Sequence, residues 1–181
     1  MDRLTLRQPL ADKTPIVRRG FRAQVIPHQS LAELRADPVS LPQQLRDLLP
    51  LSANRSIDHR CWRVAWLRPD GWLLIDTPQD TERHASFPVF AGAKAARITD
   101  LSHALVGIAA AGYAMPRVIG QGTPLDLRPT KFGPGQCTRT WCAGFSILLD
   151  HTDTHVSIYV EASWSTAFWE WLTDASYTLP Q

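Results

Sequence analysis

The chain has 181 residues, of which 44% are hydrophobic and 20% are charged, a composition typical of one globular domain. Its formal net charge of +2 is too small to predict nucleic-acid binding, which requires many clustered cationic side chains. No apolar run approaches the roughly 20 residues that a membrane-spanning helix needs, and no signal segment is recognisable, so we expect a cytoplasmic protein.

The N-terminal segment Met1–Gly20 has mixed charge, two prolines and no period of 2 or 3.6, which predicts an extended arm before a domain of residues 21–181. Its arginines favour docking on an acidic neighbour over nucleic-acid binding, because no aromatic side chains interleave with them. Next, Phe21–Ile26 alternates apolar and polar residues ahead of Pro27, which predicts a short edge strand.

Leucines at helical spacing follow between Gln29 and Ser52, with prolines as interruptions. They predict two short helices, the second with Ser40 as its N-cap and Pro42 in its first turn. The leucines concerned are Leu31, Leu34, Leu41, Leu45, Leu48 and Leu49.

A β-hairpin is predicted over Cys61–Ile75, because the turn Arg68–Gly71 contains a proline and a glycine between two apolar segments. Residues 77–94 then predict a polar turn and a loop that carries Phe87 and Phe90. Packing of these two rings on the protein's own core is favoured over a contact with a partner.

The pattern of Ala96–Pro129, in the middle of the chain, predicts one supersecondary unit on which the two halves of the chain pack. An extended pair covers Arg97–Ala111, a short helix covers Gly112–Gly120, and a return segment follows. Gly120 and Gly122 suit a left-handed C-cap for this helix.

Three alternating segments near the C-terminus, Cys137–Cys142, Phe145–Leu149 and His155–Val160, predict consecutive strands. The last helix is predicted to start at Ser163 as N-cap, with an apolar stripe that is core. The stripe consists of Trp164, Phe168, Trp171 and Leu172. Trp169 lies off the stripe, so an interface role and simple partial burial are weighed equally for its ring.

Cysteine and histidine spacings predict neither a disulfide framework nor a metal site. Cys137 and Cys142 are separated by a spacing that matches neither zinc nor redox motifs, and Cys61 makes the cysteine count odd. His151 and His155 flank a hairpin turn without further ligands at matching spacing, so exposed turn histidines are the favoured interpretation.

Nucleophilic and phosphate-binding chemistry also lack a signature. Ser102–His103 has neither the Gly-x-Ser-x-Gly elbow nor an acidic partner. Phe132–Gly135 offers backbone amides, but Pro134 lacks an N–H group and no lysine-capped helix follows. Without Gly-x-Gly-x-x-Gly, no Rossmann site for FAD or NAD is expected. We therefore predict no catalytic, cofactor-binding or metal-binding residues in this chain.

Three stretches, Trp66–Leu74, Ala96–Pro129 and Phe168–Leu172, carry a resemblance to a known family. They resemble the gamma subunit of heterotetrameric sarcosine oxidase, which is related in fold to the folate-binding T-protein of the glycine cleavage system. The matches run in order over most of the chain. The chain departs from the family at Gly71, where an acidic residue is usual, and at Gly112–Pro116, where Gly-Pro and a charged helix are usual.

The resemblance implies an α+β fold, a single domain like the folate-binding domain of T-protein with an antiparallel sheet and packed helices. It also implies three partners: an alpha subunit with NAD and a folate site, a beta subunit with FAD and covalent FMN, and a zinc-binding delta subunit. That enzyme oxidatively demethylates sarcosine to glycine, forms hydrogen peroxide, and releases formaldehyde or passes the carbon to tetrahydrofolate as 5,10-methylenetetrahydrofolate. The gamma subunit acts as scaffold, so no cofactor is expected in this chain.

Asp126, in Pro124–Leu127, resembles the place where T-proteins carry an aspartate near the transferred one-carbon unit. A turn-capping or intersubunit aspartate is favoured, because T-proteins are much longer and build the folate site from more than one domain. Three alternatives to a sarcosine oxidase subunit stay open: a subunit of a related N-methyl amine oxidoreductase, a stand-alone folate or one-carbon module, and an adaptor without flavin partners. Seven tryptophans and the arm favour a protein that lives in a complex.

Overall fold

Two antiparallel β-sheets form the framework of the protein in the computed structural model, which describes residues 9–27, 29–76, 87–90 and 92–179. The described residues contain the strands β1 (Ile16–Arg18), β2 (Phe21–Val25), β3 (Leu31–Ala36), β4 (Ser56–Asp58), β5 (Trp62–Arg68), β6 (Gly71–Asp76), β7 (Ala96–Asp100), β8 (Leu105–Ala111), β9 (Cys137–Cys142), β10 (Phe145–His151) and β11 (Val156–Glu161). They also contain the helices α1 (Gln43–Arg46), α2 (Met115–Ile119) and α3 (Ser165–Ser176).

The six-stranded sheet has the order β1-β2-β8-β11-β10-β9, and the five-stranded sheet has the order β4-β5-β6-β3-β7. Each pair of neighbouring strands is antiparallel. The predicted α+β class with antiparallel strands and packed helices is confirmed, although the strands form two sheets. The predicted hairpin of β5 and β6 and the run of β9, β10 and β11 are also present.

The larger core lies between the six-stranded sheet and the helices α2 and α3. Alternation along β10 and β11 directs Ile147, Leu149 and Ile158 to this side, where Phe168 and Leu172 of α3 join them. These five side chains are at most 1% exposed. Full burial of such a side chain stabilises the fold by about 1.5–3 kcal/mol.

A second core covers the outer face of the five-stranded sheet, where Trp72 is fully buried. Phe87 and Phe90 pack into it with exposed fractions of 4% and 1%. The prediction that these two rings pack on the protein's own core is therefore confirmed. The rest of the predicted loop includes residues 77–86 and 91, which lie outside the described residues.

A third apolar cluster fills the space between the two sheets and holds them together. Its buried members are Leu31, Ala65, Leu73, Ile75, Cys137, Leu148 and Tyr159.

Strand β3 occupies the place of the first helix predicted in the leucine-rich segment, so that prediction is wrong. The strand lies between β6 and β7, with Leu31 in the cluster between the sheets and Leu34 in the outer core. A strand that is buried on both faces tolerates leucines at any spacing, which explains the misleading helical pattern. The second helix is the short α1, whose N-cap is Pro42 and not the predicted Ser40. The Ser40 hydroxyl instead donates to Asp37 Oδ2 at 2.7 Å.

The stretch Ala96–Pro129 is divided between the two sheets. β7 pairs with β3, whereas β8 pairs with β2 and β11, so the two strands are not partners of each other as predicted. Helix α2 is shorter than predicted, and Gly120 has a φ of −62°, so the left-handed C-cap is wrong. The left-handed residue is Gly112, with a φ of +105°, where an added Cβ would lie 2.2 Å from Gly20 O. Only glycine allows this close approach.

Part of the predicted arm belongs to the six-stranded sheet. Strand β1 forms the edge and covers β2, so Phe21–Val25 is an interior strand and not the predicted edge strand. Leu10 and Ile16 are 7% and 6% exposed and join the larger core. Residues 1–8 lie outside the described part of the chain, and docking of the arm on a neighbour stays a prediction.

The N-cap of the last helix is Trp164, one residue later than predicted. A 3₁₀ turn, Ala162–Trp164, precedes α3, and Ser163 therefore lies in this turn instead of capping the helix. The hydroxyl of Ser165 donates to Ala162 O at 2.8 Å and closes the turn.

Candidate functional site

One buried ionic cluster joins the two sheets. Arg63 of β5 reaches Asp150 of β10, with Nε donating to Oδ2 at 2.7 Å and Nη2 donating to Oδ1 at 3.0 Å. Nη2 also donates to Ser56 Oγ at 2.7 Å and to His151 O at 2.9 Å, and Nη1 donates to the carboxylate of Asp58. Arg63 is 3% exposed and Asp150 is 0% exposed.

The positive charge of Arg63 is held in place by its carboxylate partners. Burial alone would lower the pKa of Arg63, but the hydrogen bonds and charges of Asp150 and Asp58 outweigh it and raise that pKa above its usual range. Asp150 also accepts from Ser56 Oγ at 2.6 Å. A fully paired group of this kind fixes the two sheets relative to each other, so we interpret the cluster as structural.

Sequence reasoning missed this pair, although a signal was present. Arg63 interrupts the apolar run of β5, and Asp150 follows three apolar residues in β10. Charges inside apolar strands indicate buried partners. The two residues are 87 positions apart, so the sequence does not indicate that they meet.

A cleft of about 450 Å³ opens between the two sheets, and no residue of the ionic cluster lines it. Leu67 and Leu73 line it from the five-stranded sheet, and Leu148 and Tyr159 line it from the six-stranded sheet. The volume is within the range of small-molecule sites, and the floor of the cleft is aliphatic apart from the Tyr159 ring.

Charged side chains stand along the cleft without forming a catalytic pair. Glu33 is bound by Arg68, which also lies 3.4 Å from Asp70 Oδ1. Glu161 and Arg139 are exposed, and their side chains have no hydrogen-bond or ion-pair partner within the described ranges. Among the described residues, the cleft therefore offers the Glu161 carboxylate and the Arg139 guanidinium for recognition, and no acid and base lie at reacting distance.

Asp126 lies outside this cleft and is engaged with a neighbour. Arg128 Nε donates to Oδ1 at 2.9 Å, Arg128 Nη2 donates to Oδ2 at 2.5 Å, and the Arg128 backbone N–H donates to Oδ1 at 3.1 Å. These hydrogen bonds lower the pKa of Asp126 to about 2. The contacts fit the turn-capping aspartate favoured from the sequence.

The two histidines of the β10–β11 turn are hydrogen-bonded to their own hairpin. His151 Nδ1 donates to Thr152 O at 2.7 Å, and His155 Nε2 lies 3.1 Å from Ser157 Oγ. Both are partly buried, so the prediction that they are exposed is wrong. Burial lowers the pKa of His155 and favours its neutral form. Within the described ranges, no three His, Cys, Asp or Glu residues are grouped to hold a metal ion.

The buried cysteines lie on opposite faces of β9. Cys137 belongs to the cluster between the sheets, and Cys142 belongs to the larger core. Burial raises the pKa of each thiol to about 12. Both thiols are thus protonated at neutral pH, whereas a nucleophile or a metal ligand is a thiolate. Cys61 is exposed and free.

Ser102 and the turn Phe132–Gly135, for which no catalytic or phosphate-binding role was predicted, have structural roles. Ser102 Oγ accepts from the Leu31 backbone N–H at 3.0 Å and ties the end of β7 to β3. In the turn before β9, the Gly133 N–H donates to Gln136 Oε1 at 2.6 Å, so this amide is occupied.

Trp169 is 4% exposed and packs in the larger core, so simple burial accounts for the ring and the interface role weighed for it is wrong. Trp164, predicted to be core, is 56% exposed and lies 6.2 Å from the ring of Phe145. Trp141 on β9 is 66% exposed. These two exposed tryptophans replace Trp169 as candidates for partner contacts.

No helix in the described part of the chain is long and apolar enough to cross a membrane.

No protein-family model matches the chain, and no curated protein matches it. Among solved structures, it is similar to a chain of the heterotetrameric sarcosine oxidase from Corynebacterium sp. U-96 in complex with pyrrole 2-carboxylate. That likeness has a TM-score of 0.75 and 23% identity, and it covers 90% of this chain and 87% of that chain.

A second solved structure is the glycine cleavage system aminomethyltransferase T from Bartonella henselae. The likeness has a TM-score of 0.55 and 14% identity, and it covers 83% of this chain but 44% of that chain. The resemblance predicted from the sequence is confirmed at the level of fold. The chain has the fold of a sarcosine oxidase chain and of a part of aminomethyltransferase T.

Proposed function

We propose that this chain is a non-catalytic structural subunit of a heterotetrameric sarcosine oxidase. The observation that carries the proposal is mutual coverage, because the likeness spans 90% of this chain and 87% of the sarcosine oxidase chain. The likeness to aminomethyltransferase T spans only 44% of that chain. Nearly the whole of the oxidase chain is therefore matched, but less than half of the transferase is.

The paired polar groups support a role without catalysis. Arg63 and Asp150 are bound to each other, Asp126 is bound by Arg128, and Glu33 in the cleft is bound by Arg68. In the proposed complex the chemistry belongs to the partners: an alpha subunit with NAD and folate, a beta subunit with FAD and FMN, and a delta subunit with zinc. This chain contributes surfaces that hold those subunits together.

The proposed complex is a cytoplasmic flavoprotein of sarcosine catabolism and one-carbon metabolism. It converts sarcosine to glycine with hydrogen peroxide and either formaldehyde or 5,10-methylenetetrahydrofolate. A related oxidoreductase for another N-methyl amine is the alternative, since substrate contacts belong to the flavin subunit. A stand-alone folate module lacks support, because Asp126 is paired with Arg128 outside the cleft.

Removal of the gene for this chain from its host should abolish sarcosine-dependent peroxide formation, because the complex loses a scaffold. Expression of the wild-type chain, of Asp126→Ala or of His151→Ala should restore it to within about twofold, whereas loss of a general acid or base costs about 10²–10⁴-fold. Peroxide formation in cell extracts is the measurement. A drop of that size in either variant, with the complex intact, would place catalysis in this chain. If extracts with the wild-type chain form peroxide from another N-methyl amine but none from sarcosine, the related N-methyl amine oxidoreductase is favoured.

A further inference from the structure

Strand β9 is an edge of the six-stranded sheet, and the described residues cover only its Cys137 end. At the covered end, the Cys137 N–H donates to Asn54 O at 3.1 Å and the Ser56 N–H donates to Gly135 O at 3.0 Å. The five-stranded sheet thus closes the edge at Cys137. Beyond it, β9 continues for five more residues to Cys142.

The backbone of the uncovered end has hydrogen-bonding groups that point away from the sheet. In an antiparallel pair, alternate residues direct both N–H and C=O to the same side. Because the Cys137 N–H points away from β10, those of Arg139 and Trp141 do so too. Within the described residues, neither amide has a backbone partner outside the β9–β10 ladder. From the described part of the chain, the carbonyl oxygens of Arg139 and Trp141 accept only long contacts of 3.4 Å, from the hydroxyls of Thr138 and Thr140 respectively.

The side chains of the same residues are suited to a cross-strand contact. Trp141 is 66% exposed, and the guanidinium of Arg139 is exposed without an ion-pair partner in the described chain. The β9–β10 register places Trp141 beside Ser146 and Arg139 beside Leu148, on the face that lines the cleft. Edge strands are usually protected by proline, bulges or inward-pointing charges, and the segment Arg139–Trp141 contains no proline.

We infer that a partner subunit adds a β-strand to β9 along Arg139–Trp141. This inference rests on the proposed function, since the partner is another subunit of the same complex. The added segment carries an acidic residue opposite Arg139, because opposite charges stabilise directly facing positions. It carries an apolar or aromatic residue opposite Trp141, where the exposed ring offers contact area beside the aliphatic cleft.

Amide hydrogen exchange of the affinity-purified complex, compared with the isolated full-length chain, tests the inference. The amides of Arg139 and Trp141 should exchange at least about tenfold more slowly in the complex, because they become ladder donors. Arg139→Glu should reduce the amount of complex recovered, because it places two acidic groups opposite each other. The matched control is Arg97→Glu, an exposed arginine on the edge strand β7, which should leave recovery unchanged.

Trp141→Pro removes an outward N–H without removing a β9–β10 hydrogen bond, so the thermal melt of the isolated chain should change little while complex recovery falls. A flavin-containing complex with unchanged exchange at residues 139 and 141 would overturn the inference and leave the proposed function standing. A complex without flavin in which both amides are protected would support the inference and contradict the proposed function. A solitary chain, or protection produced by self-association alone, would overturn the inference.

Discussion

Asp150→Ala should lower the free energy of unfolding by about 3–5 kcal/mol, because it leaves the guanidinium of Arg63 buried without its carboxylate partner. Arg63 is only 3% exposed, and a guanidinium does not lose its proton in proteins, so the charge stays buried in the variant. For a domain whose total stability is about 5–15 kcal/mol, such a loss is a large fraction. Urea unfolding of the purified chain, followed by tryptophan fluorescence, gives the change directly.

An exposed ion pair provides the matched control. Arg35 and Asp70 are joined at 2.8 Å, with side chains that are 54% and 48% exposed, so Arg35→Ala should cost only about 0–1 kcal/mol. The double variant Arg63→Met with Asp150→Leu should recover most of the stability, because no unpaired buried charge remains. If Asp150→Ala lowers the free energy of unfolding no more than the Arg35→Ala control does, the cluster does not hold the sheets together.

Trp169→Ala should cost about 3–5 kcal/mol, since it deletes a ring that is 4% exposed within the larger core. The loss belongs to the isolated chain and does not depend on any partner. Thermal and urea unfolding of the lone chain measure it, and recovery of the complex should fall only as far as the folded fraction falls.

Trp164→Ala is the matched control at the start of the same helix. Its ring is 56% exposed, so the change in stability should stay within about 0.5 kcal/mol of zero. The contrary result would be a Trp169→Ala chain as stable as wild type that no longer enters the complex. That result would return the interface role to Trp169.

Local pattern was sufficient for the β-rich C-terminal part of the chain. In β10 and β11 an apolar residue stands at every second position on one face, and short turns separate the segments, so the strands follow from the period. The hairpin of β5 and β6 follows from the proline and glycine of its turn. In both regions the neighbour in sequence is also the neighbour in the sheet.

Sequence pattern failed where long-range contacts decide the structure. Leu31 and Leu34 have helical spacing, but they lie on opposite faces of a strand that is buried on both sides. The same limit applies to the site, because the union of Arg63 with Asp150 depends on how two sheets pack. By contrast, the pairing of Asp126 with Arg128 is local, and a turn role for this aspartate was predictable.

The visible spectrum of the affinity-purified chain tests the central claim most directly. The full-length chain is tagged, expressed at its native level in its own host and purified without denaturant. The account predicts a yellow complex with flavin absorption and three partners, one large, one of middle size and one small. A folded but colourless chain that purifies without partners would contradict the claim that it is a subunit of a sarcosine oxidase.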